Sequence, residues 1–170
     1  MDEWHSLTSR AKGLAGMAES VRQGWRAGGC APYGYDLQHS PTGTMRDGKP
    51  VMRSRLIPNA DIETVGMYLR LRALGKSRSI AKSISGIAYK SLNDLEWNAL
   101  TYAGHTVWGM SSGGKRCPRE DRHITRSTHQ AVITDEDAEA VLARLENRRN
   151  LYTRGQCRTY LLTGLLESPS

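Results

Sequence analysis

The sequence predicts an α+β fold class, namely a small mixed domain with a helix-turn-helix-like helical part, short β-hairpins and a long N-terminal helix. Apolar residues recur at helical spacing over residues 4–25, and short aromatic or β-branched segments alternate with Gly- and Pro-containing turns after residue 28. A capped helix with an acidic first turn and a basic end begins at Thr134. A chain of 170 residues can form one such domain, with its own core, plus an appendage.

The composition favours a nucleic-acid partner. The chain has 24 Lys and Arg residues against 17 Asp and Glu residues, which gives a formal charge of +7. An excess of this size favours polyanions, with nucleic acid ahead of acidic membrane surfaces. The sequence has no apolar run near the roughly 18 residues of a membrane span and no charged-then-apolar leader, so we expect a soluble, cytoplasmic protein without a membrane partner.

The cysteine pattern predicts neither a disulfide framework nor a metal site. The three cysteines are odd in number and far apart, and the sequence contains no CxxC or HxxxH pair. We therefore expect no cofactor and no structural zinc. The cysteines are Cys30, Cys117 and Cys157.

Residues 4–25 form the first predicted helix, which ends at a basic joint. Two arginines, Arg22 and Arg26, flank a tryptophan near its end, and Gly28 and Gly29 follow as a hinge, because glycine allows backbone angles that other residues resist. The apolar stripe of this helix is light in large side chains, so it needs a partner, which is the chain's own core, a second copy or a piece outside this sequence. The stripe consists of Leu7, Ala11, Leu14, Ala18, Val21 and Trp25.

A small, irregular hairpin is predicted after the joint. Residues 33–37 are short and aromatic, and residues 51–57 alternate loosely between apolar and polar. The intervening residues 40–43 and 46–49 are typical of turns, and the Asp-Gly pair in the second favours a hairpin.

Two helices joined by a short glycine turn are predicted next. The first begins after Asn59, a capping residue, and ends at Gly75, and Ser77 caps the second. We expect Ile80, Ile84, Ile87 and Ala88 of the second helix to face the core. The opposite side, within about 60° of arc, is basic and hydrogen-bonding, which is typical of a helix-turn-helix, although a solvated helical hairpin shares the pattern. The candidate base-reading residues are Arg78, Lys82, Ser85, Tyr89 and Lys90.

The C-terminal part combines a strand, a loop and the clearest helix of the sequence. Residues 102–108 predict a turn leading into a strand, and residues 111–121 predict a solvated loop. Thr134 caps a helix whose predicted apolar face is Ala138, Val141, Leu142 and Leu145. Arginine suits phosphate contacts, because its planar fork can bond two oxygens at once. The candidate phosphate-binding residues are Arg22, Arg26, Arg148, Arg149, Arg154 and Arg158, whereas Tyr33, Tyr35, Trp97, Tyr102 and Trp108 are expected in the core.

Four segments in this order resemble the DNA-binding "recombinase" domain of the large serine site-specific recombinases. They are GGCAPYGYDL (28–37), YAGHTVW (102–108), THQAVITDEDAEAVLARL (128–145) and TYLLTGLL (159–166), and the resemblance covers about residues 20–166. It implies the end of a linker helix over 1–27, a DNA-binding domain over 28–166 and a tail over 167–170 of a longer natural chain. It also implies that the glycine hinge lies near a minor groove of double-stranded DNA while the helical part enters the adjacent major groove.

The departures from this family define the expected function. The family's catalytic domain would lie upstream, so this chain is expected to have no catalytic residue of its own and to self-associate only through that missing part. The tail lacks the CxxC pair of the zinc ribbon that often follows in the family. The stretch from Ile80 to Tyr102 is shorter than in the family, which implies a fused or partly lost recognition helix. The resemblance implies sequence-specific DNA binding for integration, inversion or transposition, in the cytoplasm at the nucleoid.

Three other functions stay open at this point. A metal-dependent nuclease would use His105, His123 and His129 together with Asp121, although their spacing matches no metal motif. A single-strand or RNA-binding module would need exposed aromatic residues among basic ones on a strand surface. A non-specific remnant would bind any duplex equally, and specificity distinguishes it from a working DNA-binding domain.

Overall fold

The computed structural model describes residues 2–46, 48–112 and 114–153 and confirms the α+β fold class. The described residues form six helices and three antiparallel strand pairs, in which β1 pairs with β2, β3 with β6 and β4 with β5. The elements are α1 (Asp2–Arg22), β1 (Tyr35–Arg46), β2 (Lys49–Pro58), α2 (Ile62–Ala73), α3 (Arg78–Ser85), α4 (Leu92–Trp97), α5 (Ala99–Tyr102), β3 (Thr106–Trp108), β4 (Ser111–Ser112), β5 (Lys115–Arg116), β6 (His123–Thr125) and α6 (Asp135–Thr153).

The β1–β2 hairpin is longer than the sequence predicts. Its strands have 12 and 10 residues, and the register runs from Tyr35 opposite Pro58 to Arg46 opposite Lys49. Residues 40–43, expected as a turn, lie within β1, where the register shifts between Pro41 and Met45. Proline has no backbone N–H to give to a ladder, so this irregular edge accommodates it without ending the strand.

The helices α2, α3, α4 and α6 enclose the main core, and local capping fixes where two of them begin. Ser77 Oγ accepts a hydrogen bond from the Ile80 N–H at 3.3 Å, and Thr134 Oγ1 accepts one from the Asp137 N–H at 3.2 Å. These two predicted caps are therefore confirmed. The predicted apolar face of α6 is confirmed as well, since Ala138, Val141, Leu142 and Leu145 are all buried. The predicted cap Asn59 is wrong, because α2 begins at Ile62 after Asp61, and the Asn59 side chain instead accepts a hydrogen bond from the Asp61 N–H at 3.0 Å in the preceding turn.

Two tyrosines of the predicted turn motifs, Tyr35 and Tyr102, belong to the core. Tyr35 and Tyr102 stack at 5.6 Å, and the Tyr102 hydroxyl donates to the Tyr33 carbonyl at 2.7 Å. Burial raises the pKa of Tyr35 to about 12. Tyr35, Tyr102 and Trp97 are buried, as expected, whereas Tyr33 and Trp108 are half-buried.

The helix α1 contacts the rest of the chain through its C-terminal end. Ala18 and Val21 are buried, and the Thr125 hydroxyl of β6 donates to the Val21 carbonyl at 2.7 Å. Leu7 and Leu14 of the same predicted stripe are exposed. The chain's own core therefore covers only the last turns of this stripe.

The predicted inward orientation of Ile80 and Ile84 is wrong. Their side chains are 48% and 57% exposed, and Ala88 is also exposed, whereas Ile87 is buried as expected. The inward positions of α3 belong to Ala81 and Ser85. These small side chains bring the helix close to its neighbours, and this turns the isoleucine side of α3 outward.

Candidate nucleic-acid interface

A buried glutamate ties together the three helices of the helix-turn-helix-like part. Glu96 of α4 is 0% exposed and accepts hydrogen bonds from the Tyr68 hydroxyl and the Arg72 Nε, each at 2.7 Å. Arg78 of α3 donates to the same carboxylate from Nε at 3.0 Å and from Nη2 at 2.7 Å. We call Glu96, Tyr68, Arg72 and Arg78 the Glu96 cluster. It fixes α3 against α2 and α4.

Electrostatics favour the ionised form of this glutamate. Burial by itself raises the pKa of Glu96, but the hydrogen bonds from Arg78 and Tyr68 and the charge of Arg72 outweigh it, so the pKa lies below its ordinary value. Burial and the bond to Glu96 raise the pKa of Tyr68. The cluster therefore keeps one carboxylate and two guanidinium groups charged. Each charge is stabilised by the opposite charge beside it, because burial removes part of its hydration.

The Glu96 cluster changes the assignment of the base-reading residues. Arg78 donates to Glu96 and also to the Asn93 amide oxygen at 2.9 Å, so its guanidinium is committed within the protein. Ser85 is buried, and the Tyr89 ring stacks on the Tyr33 ring at 4.6 Å. The structure thus does not bring these three together on an outer face, because that side of α3 faces the core.

The actual outer face of α3 has a different composition. At about 100° per residue, Ser79 and Ser83 lie in its middle, Lys82 lies along one edge and Ile80 and Ile84 along the other. All five of these residues are exposed. We call them the α3 outer face. Lys82 is the one predicted base-reading residue on it, and Lys90 is exposed beyond the end of the helix.

A basic surface forms where the end of α1 meets β2. The Arg26 N–H donates to the Ser54 carbonyl at 2.9 Å, and Arg53 Nη1 donates to the Gln23 side chain at 2.7 Å. The Arg55 guanidinium lies 4.3 Å from the centre of the Trp25 ring, a cation–π contact. We call the surface of Arg22, Arg26, Arg53, Arg55 and Trp25 the arginine junction.

Only Arg22 and Arg26 of this junction are predicted from the sequence as phosphate contacts. Arg22 is exposed and bonds Glu19 at 3.1 Å, as expected for a surface arginine. Arg53 and Arg55 are not among the predicted phosphate contacts. Their spacing of two residues in a strand places both side chains on the same face. Strand spacing therefore groups these two arginines with each other, but it does not predict their contact with the end of α1.

The predicted phosphate contact Arg26 is partly withdrawn from the surface. Its Nη2 donates to the Cys30 carbonyl, and its Nε is buried with no hydrogen-bond partner among the described residues. Burial lowers the pKa of Arg26, opposed by Cys30. Gly28 and Gly29 have φ angles of 73° and 79°, and these left-handed conformations let the chain fold back over Arg26. Movement at this predicted hinge stays a prediction.

The remaining candidate phosphate contacts lie at the end of α6 or after it. Arg148 is exposed on α6. Arg149 belongs to the same helix, but its side chain is outside the described part of the structure, and Arg154 and Arg158 lie outside the described residues altogether.

The histidines of the nuclease alternative have separate partners. His105 Nε2 lies 2.8 Å from Asp135 Oδ1, His129 Nε2 lies 2.7 Å from the Thr101 carbonyl, and His123 stacks on Trp108 at 5.4 Å. Burial lowers the pKa of His129, opposed by its bond to Thr101. Among the residues that the structure describes, no group of three His, Cys, Asp or Glu side chains could hold a metal ion.

Neither a membrane-spanning helix in the described ranges nor a matching relative indicates a function. None of the helices in the described ranges is long and apolar enough to cross a membrane. Comparison with protein-family models, curated proteins and solved structures gave no match. The two surfaces that indicate a function are therefore the α3 outer face and the arginine junction.

Proposed function

We propose that this chain binds double-stranded DNA sequence-specifically, without catalysis of its own, as the DNA-binding part of a serine site-specific recombinase. The observation that carries the proposal is the α2–turn–α3 arrangement. Residues 74–77 join the two helices, Ser77 caps α3, and the Glu96 cluster fixes its orientation. A short turn between two helices, the second with an accessible polar face, is the arrangement that places a recognition helix in the major groove.

The arginine junction would supply the sequence-independent part of the affinity. Arg22 and Arg55 are exposed, and Arg53 lies on the same strand face as Arg55. Guanidinium groups that contact phosphates fix register and orientation on the duplex and release counterions. The formal charge of +7 acts in the same direction.

The recombinase assignment rests on the four resembling segments, of which the last (159–166) lies outside the described residues. It defines the biological role that we propose. A recombinase of this family integrates, inverts or transposes DNA, acts at the nucleoid and self-associates through its catalytic domain. For this chain, the role is recognition of one duplex site.

The test is selection of a binding site from random-sequence duplex DNA, followed by a salt titration of the enriched site. We expect one enriched motif and a salt dependence equivalent to about five or more neutralised phosphates. Replacing Arg55→Gln should weaken binding to all duplexes and reduce the magnitude of the log–log salt slope by about 1.

The matched control is Arg119→Gln, which removes the same charge from a residue that pairs with Glu139 on the surface. This variant should bind DNA as the wild type does. Equal effects of Arg55→Gln and Arg119→Gln would contradict a specific role for the arginine junction and would leave only net charge as the source of affinity.

A non-specific nucleic-acid-binding remnant is the second candidate function. One observation favours it, namely that three predicted base-reading residues are engaged within the protein: Arg78 bonds Glu96, Ser85 is buried, and Tyr89, beyond the end of α3, stacks on Tyr33. Such a remnant would bind every duplex with the same affinity, so the selection would enrich no motif.

A further inference from the structure

The α3 outer face exposes two isoleucines one helical turn apart. Ile80 and Ile84 are 48% and 57% exposed, and side chains four residues apart in a helix are neighbours. Isolated exposed apolar residues are common and need no explanation. This pair is different, because it forms one edge of a surface whose other residues are polar, on the helix that the Glu96 cluster holds in a fixed orientation.

The surroundings of the pair favour a negatively charged partner. The helix α3 has no acidic residue, and Lys82 lies on its opposite edge. Lys76 and Lys90, just before and just after the helix, are exposed as well. The acidic Asp94 of the neighbouring α4 accepts a hydrogen bond from Arg116 at 2.9 Å, so its charge is compensated. A partner for this surface must therefore combine negative charge with small apolar groups.

The major groove of DNA offers this combination. Thymine is the base that presents a methyl group there, and apolar side chains distinguish it by contact with that methyl. Ile80 and Ile84 are separated by about 6 Å along the helix axis, and base pairs repeat about every 3.4 Å, so the two side chains span roughly two base-pair steps. Ser79 and Ser83, between the isoleucines and Lys82, can bond to any base edge.

We propose that Ile80 and Ile84 recognise the C5-methyl groups of thymines about two base-pair steps apart in the major groove. This inference rests on the proposed function, because it requires α3 to lie in that groove. It keeps Lys82 of the predicted base-reading set and replaces Arg78, Ser85 and Tyr89 with the other residues of the α3 outer face.

The test compares the selected duplex with the same duplex in which uracil replaces thymine, which removes only the methyl groups. Burial of one methyl group changes the affinity about fourfold. The wild-type chain should therefore bind the uracil duplex about fourfold more weakly if one methyl contact is lost. If two are lost, binding should be about fifteenfold weaker. The double variant Ile80→Ala, Ile84→Ala should bind both duplexes with equal affinity.

The matched control is Met67→Ala on α2. Met67 is 47% exposed, which matches Ile80, but it lies outside the α3 outer face, so this variant should discriminate against uracil as the wild type does. Both changes are at exposed positions, and far-UV circular dichroism of each variant checks that the fold is retained.

Two outcomes would overturn the inference while the proposed function stands. In one, the wild-type chain binds the selected duplex but does not distinguish uracil from thymine. In the other, the double variant retains the full discrimination, which would instead assign the isoleucine pair to another partner such as an acidic protein. Failure to select any duplex would overturn both this inference and the proposed function.

Discussion

Replacing Glu96→Gln tests whether the Glu96 cluster holds the helix-turn-helix-like part together. The substitution keeps the size of the side chain but removes its charge and one of its two acceptor oxygens. Arg72 and Arg78 would then lack a counter-charge, and an amide N–H₂ group would face their donors. The Glu96 side chain is 0% exposed, and those of Arg72 and Arg78 are 12% and 27% exposed, so water can replace the lost interactions only in part.

The expected loss is a large part of the stability of a domain. Removing one partner of a buried ion pair costs about 3–5 kcal/mol. The total free energy of unfolding of a domain is typically about 5–15 kcal/mol. Urea denaturation at pH 7, followed by circular dichroism, should therefore show a clearly lower midpoint with an unchanged m value.

The control is Glu139→Gln, which removes a carboxylate that pairs with Arg119 at the surface. Exposed ion pairs are worth about 0.2–1 kcal/mol, so this variant should unfold almost as the wild type does. If Glu96→Gln costs no more than Glu139→Gln, the reasoning about the cluster is refuted.

The lowered pKa of Glu96 also predicts how stability depends on pH. Its ordinary value is 4.5, and the folded value lies below this. The unfolded state therefore binds more protons in this window, so the stabilisation is complete above the ordinary value and is lost as the pH falls through the folded value. Glu96→Gln should remove this part of the acid dependence, which an acid titration of the free energy of unfolding would detect.

Three further predictions concern a turn, a histidine and a cap. Gly104→Ala should lower the free energy of unfolding, measured by urea denaturation, by about 2 kcal/mol or more. Gly104 has a φ of 88°, and a Cβ there would lie 2.8 Å from the His129 carbonyl oxygen. The control Gly16→Ala, with open space around it, should cost nothing. The free energy of unfolding should fall more steeply from pH 7 to pH 5 in the wild type than in His129→Gln, because burial lowers the pKa of His129 and the unfolded state takes up its proton first; equal slopes would refute this. Ser77→Ala should cost about 1 kcal/mol in the same denaturation assay, and no loss would mean that the cap contributes nothing.

Features that depend on neighbours in sequence could be predicted from the sequence. The caps Ser77 and Thr134 follow from hydrogen bonds to residues three positions later. The apolar face of α6 follows from its spacing, because Ala138, Val141, Leu142 and Leu145 recur three or four residues apart on one side of the helix, and all four are buried.

Features that depend on distant parts of the chain could not be predicted. Periodicity shows that Ile80 and Ile84 share a side of α3, but not which side faces the core, and the small residues Ala81 and Ser85 decide that by allowing close approach. The role of Glu96 depends on Arg72 and Arg78, which lie 24 and 18 residues away. The arginine junction likewise forms by contacts between residues 23 and 53, which no local pattern reveals.

The measurement that tests the central claim most directly is a competition between the selected duplex and a scrambled duplex of the same composition at physiological salt. A sequence-specific DNA-binding domain should prefer the selected duplex by about a thousandfold or more. Equal affinity for the two duplexes would contradict the account and would make this chain a non-specific binder of nucleic acid.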